Sequence, residues 1–348
     1  MRFVRWIALG VLLLFFSHSF YIRHKAISRS PDDRSEISII RTALYTDVQI
    51  RLVAIGSREE ALQAAENTIG LMEKAAASIN AYDESSTISL FNKNRSISAS
   101  RSEEEKHLIQ ILQRVKRISL QTEKAFNPLA GPLIRYWEEV RDGAREIDRE
   151  EIRSILPLYD PDLLQVSPAK AHIAGSSATV HLGGVIKGYA VDCGVDYLHS
   201  RGYDNFLINA GGDLYASGRK SSGDRWRIGI RHPRQRRVFG RLSVSNQAIA
   251  TSGDYESYFI VDGKRYHHII DPRTGFPSKG TISATVIAED LFTADAWATA
   301  AVVLGPRSIE LAERYNKENK KIEILIIMED GAVLSTSGFA NYKTPKTN

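Results

Sequence analysis

The stretch YFIVDGKRYHHIIDPRTGFPSKGTISATVIAEDLFTADAWATAAVVL, residues 258–304, decides the fold class. Two strand patterns flank the turn pair Asp262-Gly263, which predicts an antiparallel hairpin. A further strand and a helix rich in alanine follow. The strands and the helix predicted here are Tyr258–Val261, Tyr266–Ile270, Ser283–Ile287 and Thr293–Leu304. Antiparallel strands followed by a helix are typical of α+β folds.

The rest of the chain shows the same mixture of helices and strands. Apolar residues at helical spacing predict helices at Glu59–Ala77, Glu103–Thr122, Arg149–Leu156, Ile186–Ser200 and Ser308–Tyr315. Strands are predicted at 46–53, 179–182, 206–209, 225–230, 240–244, 322–328 and 331–336. We expect the four strands between residues 225 and 270 to share one antiparallel sheet. The predicted class is therefore α+β.

Residues 1–20 are predicted to be an export segment. Two arginines precede an unbroken apolar run of 11 residues, Trp6–Phe16. The run is short for a membrane span, which needs about 20 residues, and is typical of a secretory signal. An uncleaved N-terminal anchor is the alternative. Residues 21–38 are polar and predict a linker, so we expect an exported protein, periplasmic or attached to the outer face of the inner membrane.

The formal net charge is +5, and its excess is concentrated in one segment. Nine Lys or Arg residues and one acid, Asp224, lie between Arg219 and Arg241. This run is either a solvated basic loop or a surface that attracts an acidic partner or an anionic surface. No helix-turn-helix, RNA-binding or zinc-finger spacing supports nucleic-acid binding. The single cysteine, Cys193, excludes an internal disulfide and a cysteine-based metal cluster.

Two helix-associated segments carry candidate binding groups. Gly183-Gly184 joins a predicted strand to a helix start, where backbone amides and Lys187 could bind an anion; a plain strand-turn-helix joint is the alternative. Asp295 and Thr299 are four residues apart, so both side chains lie on one side of a helix. A carboxylate and a hydroxyl suit Mg²⁺. The alternative is a helix cap and a threonine bonded to its own turn.

A third segment, Tyr266–Pro277, places histidine, aspartate and arginine where a predicted strand ends. A histidine can transfer protons near neutral pH, and an aspartate can orient it. His267 and His268 alternate along the predicted strand, so only one is expected to face a site. The alternative is a turn, Asp-Pro-x-x-Gly, that carries no chemistry. A fourth polar segment, Ser252–Tyr255, predicts a loop before the hairpin.

Taken together, these segments resemble the ApbE family of flavin transferases, also called FAD:protein FMN transferases. The matching blocks, in chain order, are Ala125–Pro128 with Gly131–Leu133, Leu182–Gly184 with Lys187–Ala190, Asn209–Asp213, Ala250–Tyr255, His268–Gly275 and Ala294–Thr299. The resemblance implies a single α+β domain at residues 39–342, with mixed, largely antiparallel sheets flanked by helices.

The resemblance also implies a reaction. An Mg²⁺-dependent enzyme would cleave FAD at its pyrophosphate, attach FMN through a phosphoester to a threonine hydroxyl of an acceptor protein, and release AMP. The family suggests electron-transport subunits as acceptors. Two alternatives remain open: an FAD pyrophosphatase, in which water replaces the acceptor hydroxyl, and a non-catalytic FAD-binding protein of the envelope.

Roles follow from the resemblance residue by residue. Asp295, Thr299 and the backbone carbonyl of Gly184 are expected to bind the metal, and His268, supported by Asp271, to transfer protons. The residues expected to contact FAD are Tyr82, Ala125, Phe126, Asn127, His181, Lys187 and Ile270, of which the first four lie at the flavin ring. Asn127 and His181 stand where the family more often has acids, which is expected to weaken metal or ribose contacts.

Overall fold

The computed structural model describes residues 35–175, 177–318 and 321–344. The predicted export segment and nearly all of the predicted linker lie outside these residues. The helices are α1 (Arg58–Ser78), α2 (Thr87–Asn94), α3 (Glu103–Gln121), α4 (Gly131–Arg141), α5 (Arg149–Ile155), α6 (Ile186–Ser200), α7 (Leu291–Leu304) and α8 (Arg307–Asn316). Within the described part of the chain, no helix has the length and apolar character needed to cross a membrane.

The described strands are antiparallel wherever they pair. They are β1 (Glu36–Ala43), β2 (Thr46–Val53), β3 (Ser96–Ser98), β4 (Leu164–Val166), β5 (Lys170–Ile173), β6 (Phe206–Ala210), β7 (Asp213–Ser217), β8 (Trp226–Arg231), β9 (Val238–Val244), β10 (Gln247–Gly253), β11 (Tyr258–Val261), β12 (Lys264–His267), β13 (Thr281–Ala288), β14 (Glu323–Met328) and β15 (Val333–Ser335). Strand β1 begins at Glu36, so residues 36–38, assigned to the linker from sequence, belong to the sheet.

One large sheet of eight strands organises the molecule, in the order β1-β2-β6-β7-β10-β13-β14-β15. Helices α6 and α7 pack on one face of this sheet, and α1 packs on α6. Strand β13 is buried along its whole length because both faces of the sheet are covered. Val286 belongs to the core on the helical side, whereas Ile287 packs with Trp226 of the β8–β9 hairpin on the other side. The predicted α+β class is confirmed.

The four strands expected to form one sheet form two separate hairpins instead. Strands β8 and β9 pair with each other, as do β11 and β12, without a ladder between the two pairs. The physical reason is that each hairpin buries its aromatic residues in a different place. Trp226 packs against the large sheet, whereas Phe259 and Tyr266 pack on Trp137 of α4.

Two other strand predictions are wrong in detail. The segment Thr179–Leu182 is not a strand, because a side chain stands where a partner strand would lie. The amide of Val180 donates to Asn92 Oδ1 (2.8 Å), and its carbonyl accepts from Asn92 Nδ2 (2.8 Å). The strand predicted at Tyr266–Ile270 ends at His267, since β12 pairs with β11 only as far as that residue.

Helices α6 and α7 approach each other closely at Gly188, which gives the first testable prediction. A Cβ at this position would lie 2.6 Å from the Leu291 carbonyl oxygen and 2.8 Å from the Phe292 Cα, both backbone atoms. Gly188→Ala is therefore expected to lower the free energy of unfolding by about 1–3 kcal/mol, the usual cost of overpacking. Urea unfolding of the purified protein measures this change.

Gly70 provides the matched control on a helix without such crowding. No heavy atom lies within 4 Å of a Cβ built at Gly70 of α1. Gly70→Ala is expected to raise the free energy of unfolding by about 0.5–1 kcal/mol, because glycine weakens a helix interior. Equal effects of the two substitutions would contradict the close contact between α6 and α7.

Candidate active site

A single cleft of about 470 Å³ brings together eleven of the twelve residues that the sequence analysis selected. They are Tyr82, Ala125, Phe126, Asn127, His181, Gly184, Lys187, His268, Ile270, Asp295 and Thr299. The twelfth, Asp271, does not line this cleft. Residues that lie more than 200 positions apart in the chain, such as Tyr82 and Thr299, are therefore parts of one site.

The proposed metal donors meet where the first turn of α6 crosses α7. The amide of Gly188 donates to Asp295 Oδ2 (3.1 Å), and Thr299 lies one turn further along α7. Among the described residues the Thr299 hydroxyl has no hydrogen-bond partner. The alternative interpretation, in which this hydroxyl bonds to its own helical turn, is therefore not supported. A Cβ at Gly184 would lie 3.4 Å from Thr299 Oγ1. Asp295, Thr299 and Gly184 thus line the same cleft, and a donor set of a carboxylate, a hydroxyl and a backbone carbonyl fits Mg²⁺.

Two buried carboxylates and one half-buried ammonium group surround this point. Lys187 forms an ion pair with Asp213 of β7, whose other oxygen accepts the amide of Thr251 (3.1 Å). Burial raises the pKa of Asp295 and the Asp213 carboxylate raises it further, while Lys187 and the Gly188 amide lower it. Burial alone would lower the pKa of Lys187, but Asp213 and Asp295 outweigh that effect and raise it. A bound divalent cation would relieve the repulsion between the two carboxylates.

Asp213 is a site residue that the sequence analysis quoted without assigning a role. It follows Gly211-Gly212 in one of the blocks shared with the family, and this position is the signal that could have revealed it. Its side chain is buried, with 3% exposure, and it lines the cleft. Almost fully buried carboxylates are rare unless they are paired, which suits a role in holding Lys187.

The N-terminus of α7 is anchored by carboxylates from two elements. Asp192 of α6 accepts the amides of Leu291 (2.8 Å) and Phe292 (3.0 Å). Asp290 caps the same helix and pairs with Arg114 of α3 (2.6 Å). Burial raises the pKa of Asp192, and the neighbouring Asp290 raises it further. These bonds fix the helix that carries the proposed metal donors against both α3 and α6.

His268 lies at the cleft, but its partner differs from the expected one. Its Nδ1 is 3.1 Å from the Ser257 carbonyl oxygen. The carboxylate of Asp271 instead binds the Arg273 guanidinium (2.9 and 2.7 Å) and the Arg273 amide (2.9 Å). Asp271 is therefore not the partner of the His268 ring, contrary to expectation. The Asp-Pro-Arg-Thr-Gly turn directs its carboxylate to Arg273 of the same turn instead.

Both neighbouring histidines line the cleft, whereas only one was expected to face it. Strict alternation does not extend to His268 because β12 ends at His267. His267 Nε2 is 2.8 Å from the Ser278 carbonyl oxygen, so its ring is held by the backbone. Burial lowers the pKa of His268 by more than its contact with the Ser257 carbonyl raises it, and the nearby His267 and Lys187 lower it as well. His268 is thus neutral near pH 7 and able to accept a proton.

Tyr82 and His181 give part of the cleft lining an aromatic character. The Tyr82 hydroxyl donates to Glu138 of α4, and the Tyr82 ring meets the edge of the His181 ring at 5.5 Å between centroids. The His181 Nε2 is buried without a hydrogen-bond partner among the described residues. Burial lowers the pKa of His181, and Glu138 partly offsets this effect. Glu138 was not selected from sequence because only the tertiary fold brings α4 to Tyr82.

The side chain of Asn127 lines the cleft and also forms hydrogen bonds with the backbone around it. Its Nδ2 donates to the Tyr159 carbonyl (2.5 Å), and its Oδ1 accepts the Leu129 amide (3.0 Å). An asparagine satisfies both bonds at once, since its amide is donor and acceptor. An aspartate here would lack the donor, so the departure from the family pattern has a local structural reason.

Comparisons with known proteins identify the class to which this fold and cleft belong. A solved ApbE protein from Thermotoga maritima shares the fold with a TM-score of 0.80 and 30% identity, covering 89% of this chain and all of that chain. The flavin transferase ApbE from Vibrio cholerae has a TM-score of 0.75 and 27% identity, covering 89% of this chain and 100% of that chain. The architecture is therefore that of the solved ApbE proteins.

The sequence comparisons agree. The model of the ApbE family matches residues 44–326. The FAD:protein FMN transferase of Vibrio cholerae is 33% identical over 282 residues, covering 78% of this chain and 80% of that protein. That of Klebsiella pneumoniae is 31% identical over 235 residues, covering 66% and 72%. The chain belongs to the ApbE family, and the resemblance found in the sequence blocks is confirmed.

Proposed function

We propose that this protein is an FAD:protein FMN transferase that requires Mg²⁺ and modifies a threonine hydroxyl of an acceptor protein. The acceptor oxygen attacks the FMN phosphorus, the bond from that phosphorus to the AMP phosphate breaks, and AMP leaves. The observation that carries the proposal is the cleft itself, where an oxygen donor set, a neutral histidine and aromatic residues meet. Membership of the ApbE family supports the same reaction.

Different residues of the cleft are proposed to have different roles. Asp295, Thr299 and Gly184 would hold Mg²⁺, which when bound offsets negative charge on the pyrophosphate. Lys187 supplies a fixed positive charge beside them. Tyr82 offers an aromatic surface to the flavin ring, as does Phe126, which the resemblance assigns to the same ring; both residues line the cleft.

His268 is proposed to take the proton from the acceptor hydroxyl. A threonine hydroxyl is far too weak an acid to ionise alone near neutral pH, so a positioned base is needed. The lowered pKa of His268 keeps its ring unprotonated there. Its Nδ1 faces a backbone carbonyl (3.1 Å), so Nδ1 carries the proton and Nε2 is the basic atom.

We further propose that the enzyme is exported and acts in the periplasm or at the outer face of the inner membrane. The apolar run Trp6–Phe16 behind two arginines supports this location. An acceptor that is an electron-transport subunit would be reached there. Fractionation of cells that express the full chain tests the location.

One assay tests the proposed activity. The purified protein is incubated with FAD and Mg²⁺, with and without extract of the source cells as acceptor. AMP is measured by chromatography, and covalent flavin by fluorescence of protein bands in a denaturing gel. A fluorescent band that requires both FAD and Mg²⁺ is expected. AMP without covalent flavin would indicate FAD hydrolysis, and bound flavin without AMP would indicate a carrier.

A further inference from the structure

The hairpin of β8 and β9 carries an exposed row of arginines that the proposed reaction does not use. Its inner side is apolar, with Trp226 and Ile230 buried. Outward positions recur every second residue along β8. Arg241 of β9 stands opposite Gly229, which lies between Arg227 and Arg231 on β8. We call the exposed residues the arginine face: Arg225, Arg227, Arg231 and Arg241.

The arginine face has no carboxylate partner within the part of the chain that the structure describes. Among the described residues, Arg231 lies over the Tyr255 ring, 5.5 Å from its centroid. Arg241 stands diagonally between Arg227 and Arg231 in the ladder, so these like charges face the same solvent region and repel each other. An anionic partner would relieve this repulsion, so the face is suited to bind one.

The hairpin is attached to the rim of the cleft. Beyond β8, Arg234 binds Asp254 through two bonds of 2.7 and 2.6 Å, and Arg231 lies over the adjacent Tyr255. These contacts belong to the turn between Gly253 and Ser257, both of which line the cleft. The arginine face therefore begins beside the rim at Arg231 and extends along β8 to Arg227, roughly 13 Å from it at 3.3 Å per residue.

We propose that the arginine face is the docking surface for an acidic segment of the acceptor protein. This inference rests on the proposed function, because a transferase must admit a protein hydroxyl to its cleft and so must contact the acceptor at the rim. Guanidinium groups bind carboxylates through paired hydrogen bonds. A surface of one sign beside a cleft also steers an oppositely charged partner and speeds its encounter.

A protein partner suits this surface better than a membrane. Basic elements that bind membranes usually add apolar residues that enter the lipid. The hairpin turns its large apolar residues inward, and Val238, at 45% exposure, is the exception. The face also adjoins the cleft, where an acceptor has to bind and a lipid headgroup has no role in the reaction.

Charge reversal tests the proposal. Arg227→Glu with Arg241→Glu changes the face without touching a residue that lines the cleft. The control, Arg58→Glu with Arg117→Glu, makes the same change in net charge at exposed arginines of α1 and α3. Fluorescence anisotropy with a labelled glutamate-rich peptide at low salt is expected to show about tenfold weaker binding to the first variant, since two attractive contacts become repulsive. The control should bind the peptide like the wild type.

Two further measurements distinguish this proposal from membrane binding and from failure of the proposed function. AMP release from FAD without acceptor should be unchanged in Arg227→Glu with Arg241→Glu, while covalent flavin transfer to cell extract should fall about tenfold. Equal peptide binding by both double variants would overturn the proposal. It would also be overturned if Arg227→Glu with Arg241→Glu lost binding to phosphatidylglycerol vesicles but kept binding to the peptide. If the wild type releases no AMP and transfers no flavin, the proposed function fails, but the peptide measurement still decides whether the face binds acidic protein segments.

Discussion

Asp295→Asn is expected to abolish the Mg²⁺-dependent release of AMP from FAD. The amide keeps the shape of the side chain and can still accept the Gly188 amide, which is 3.1 Å from the carboxylate. It loses the charge that would hold the cation. Electrostatic stabilisation by a bound metal contributes several kcal/mol, so a rate loss on the order of 10³-fold or more is expected.

Stability distinguishes this loss from simple misfolding. Burial and Asp213 both raise the pKa of Asp295, so its charged form is costly in the metal-free fold. Asp295→Asn should therefore have a Tm equal to or above that of the wild type without metal. Mg²⁺ should raise the Tm of the wild type but not that of the variant, because ligand binding stabilises only a competent site.

Glu73→Gln is the matched control, since Glu73 is exposed on α1 and lies outside the cleft. It should keep both the activity and the Mg²⁺-dependent rise in Tm. Full turnover in Asp295→Asn, or an unchanged metal response in thermal unfolding, would remove Asp295 from the metal site.

His268→Ala is expected to lower kcat by roughly 10²–10⁴-fold, the usual contribution of a general base. FAD binding, measured by flavin fluorescence titration, should change much less. The control is His172→Ala, because His172 also has its Nδ1 close to a backbone carbonyl oxygen (3.0 Å) but lies outside the cleft. The opposite pattern, weak FAD binding with unchanged kcat, would make His268 a packing residue.

The pH dependence of the wild type gives a second readout for His268. Its base form must be present for proton transfer, and burial lowers its pKa below the ordinary 6.5. Activity should therefore be maintained at pH 7 and fall as the pH drops through a value below 6.5. In His268→Ala this acidic limb should disappear from the profile of kcat, whereas His172→Ala should retain it.

Local spacing singled out Asp295 and Thr299, the proposed metal pair, but not the residues around them. Asp295 and Thr299 were selected because residues four apart share a helix face, and that spacing is a property of the chain itself. Asp213 and Glu138 lie on a strand and a helix that only tertiary packing brings to the cleft. Periodicity does not report such contacts, which explains why the sequence analysis assigned them no role.

In the sheet, too, local sequence patterns predicted the elements, whereas tertiary contacts determined how they pair. Most helices and strands were predicted to within a few residues, because apolar spacing reflects which face is buried. The separation of two hairpins, and the replacement of a strand at Thr179–Leu182 by contacts with Asn92, depend on where aromatic and amide side chains find partners. The turn containing Asp271 illustrates the risk in assigning roles by resemblance, since its carboxylate binds Arg273.

The pairing of β2 with β6 has a consequence for how the chain folds. These adjacent strands are separated in sequence by residues 54–205, so their ladder closes a very long loop. Loop closure costs entropy before any contact compensates for it, and distant pairings slow folding. During synthesis, β2 must wait for Phe206–Ala210 to emerge, and until then its unpaired edge is open to association with other chains.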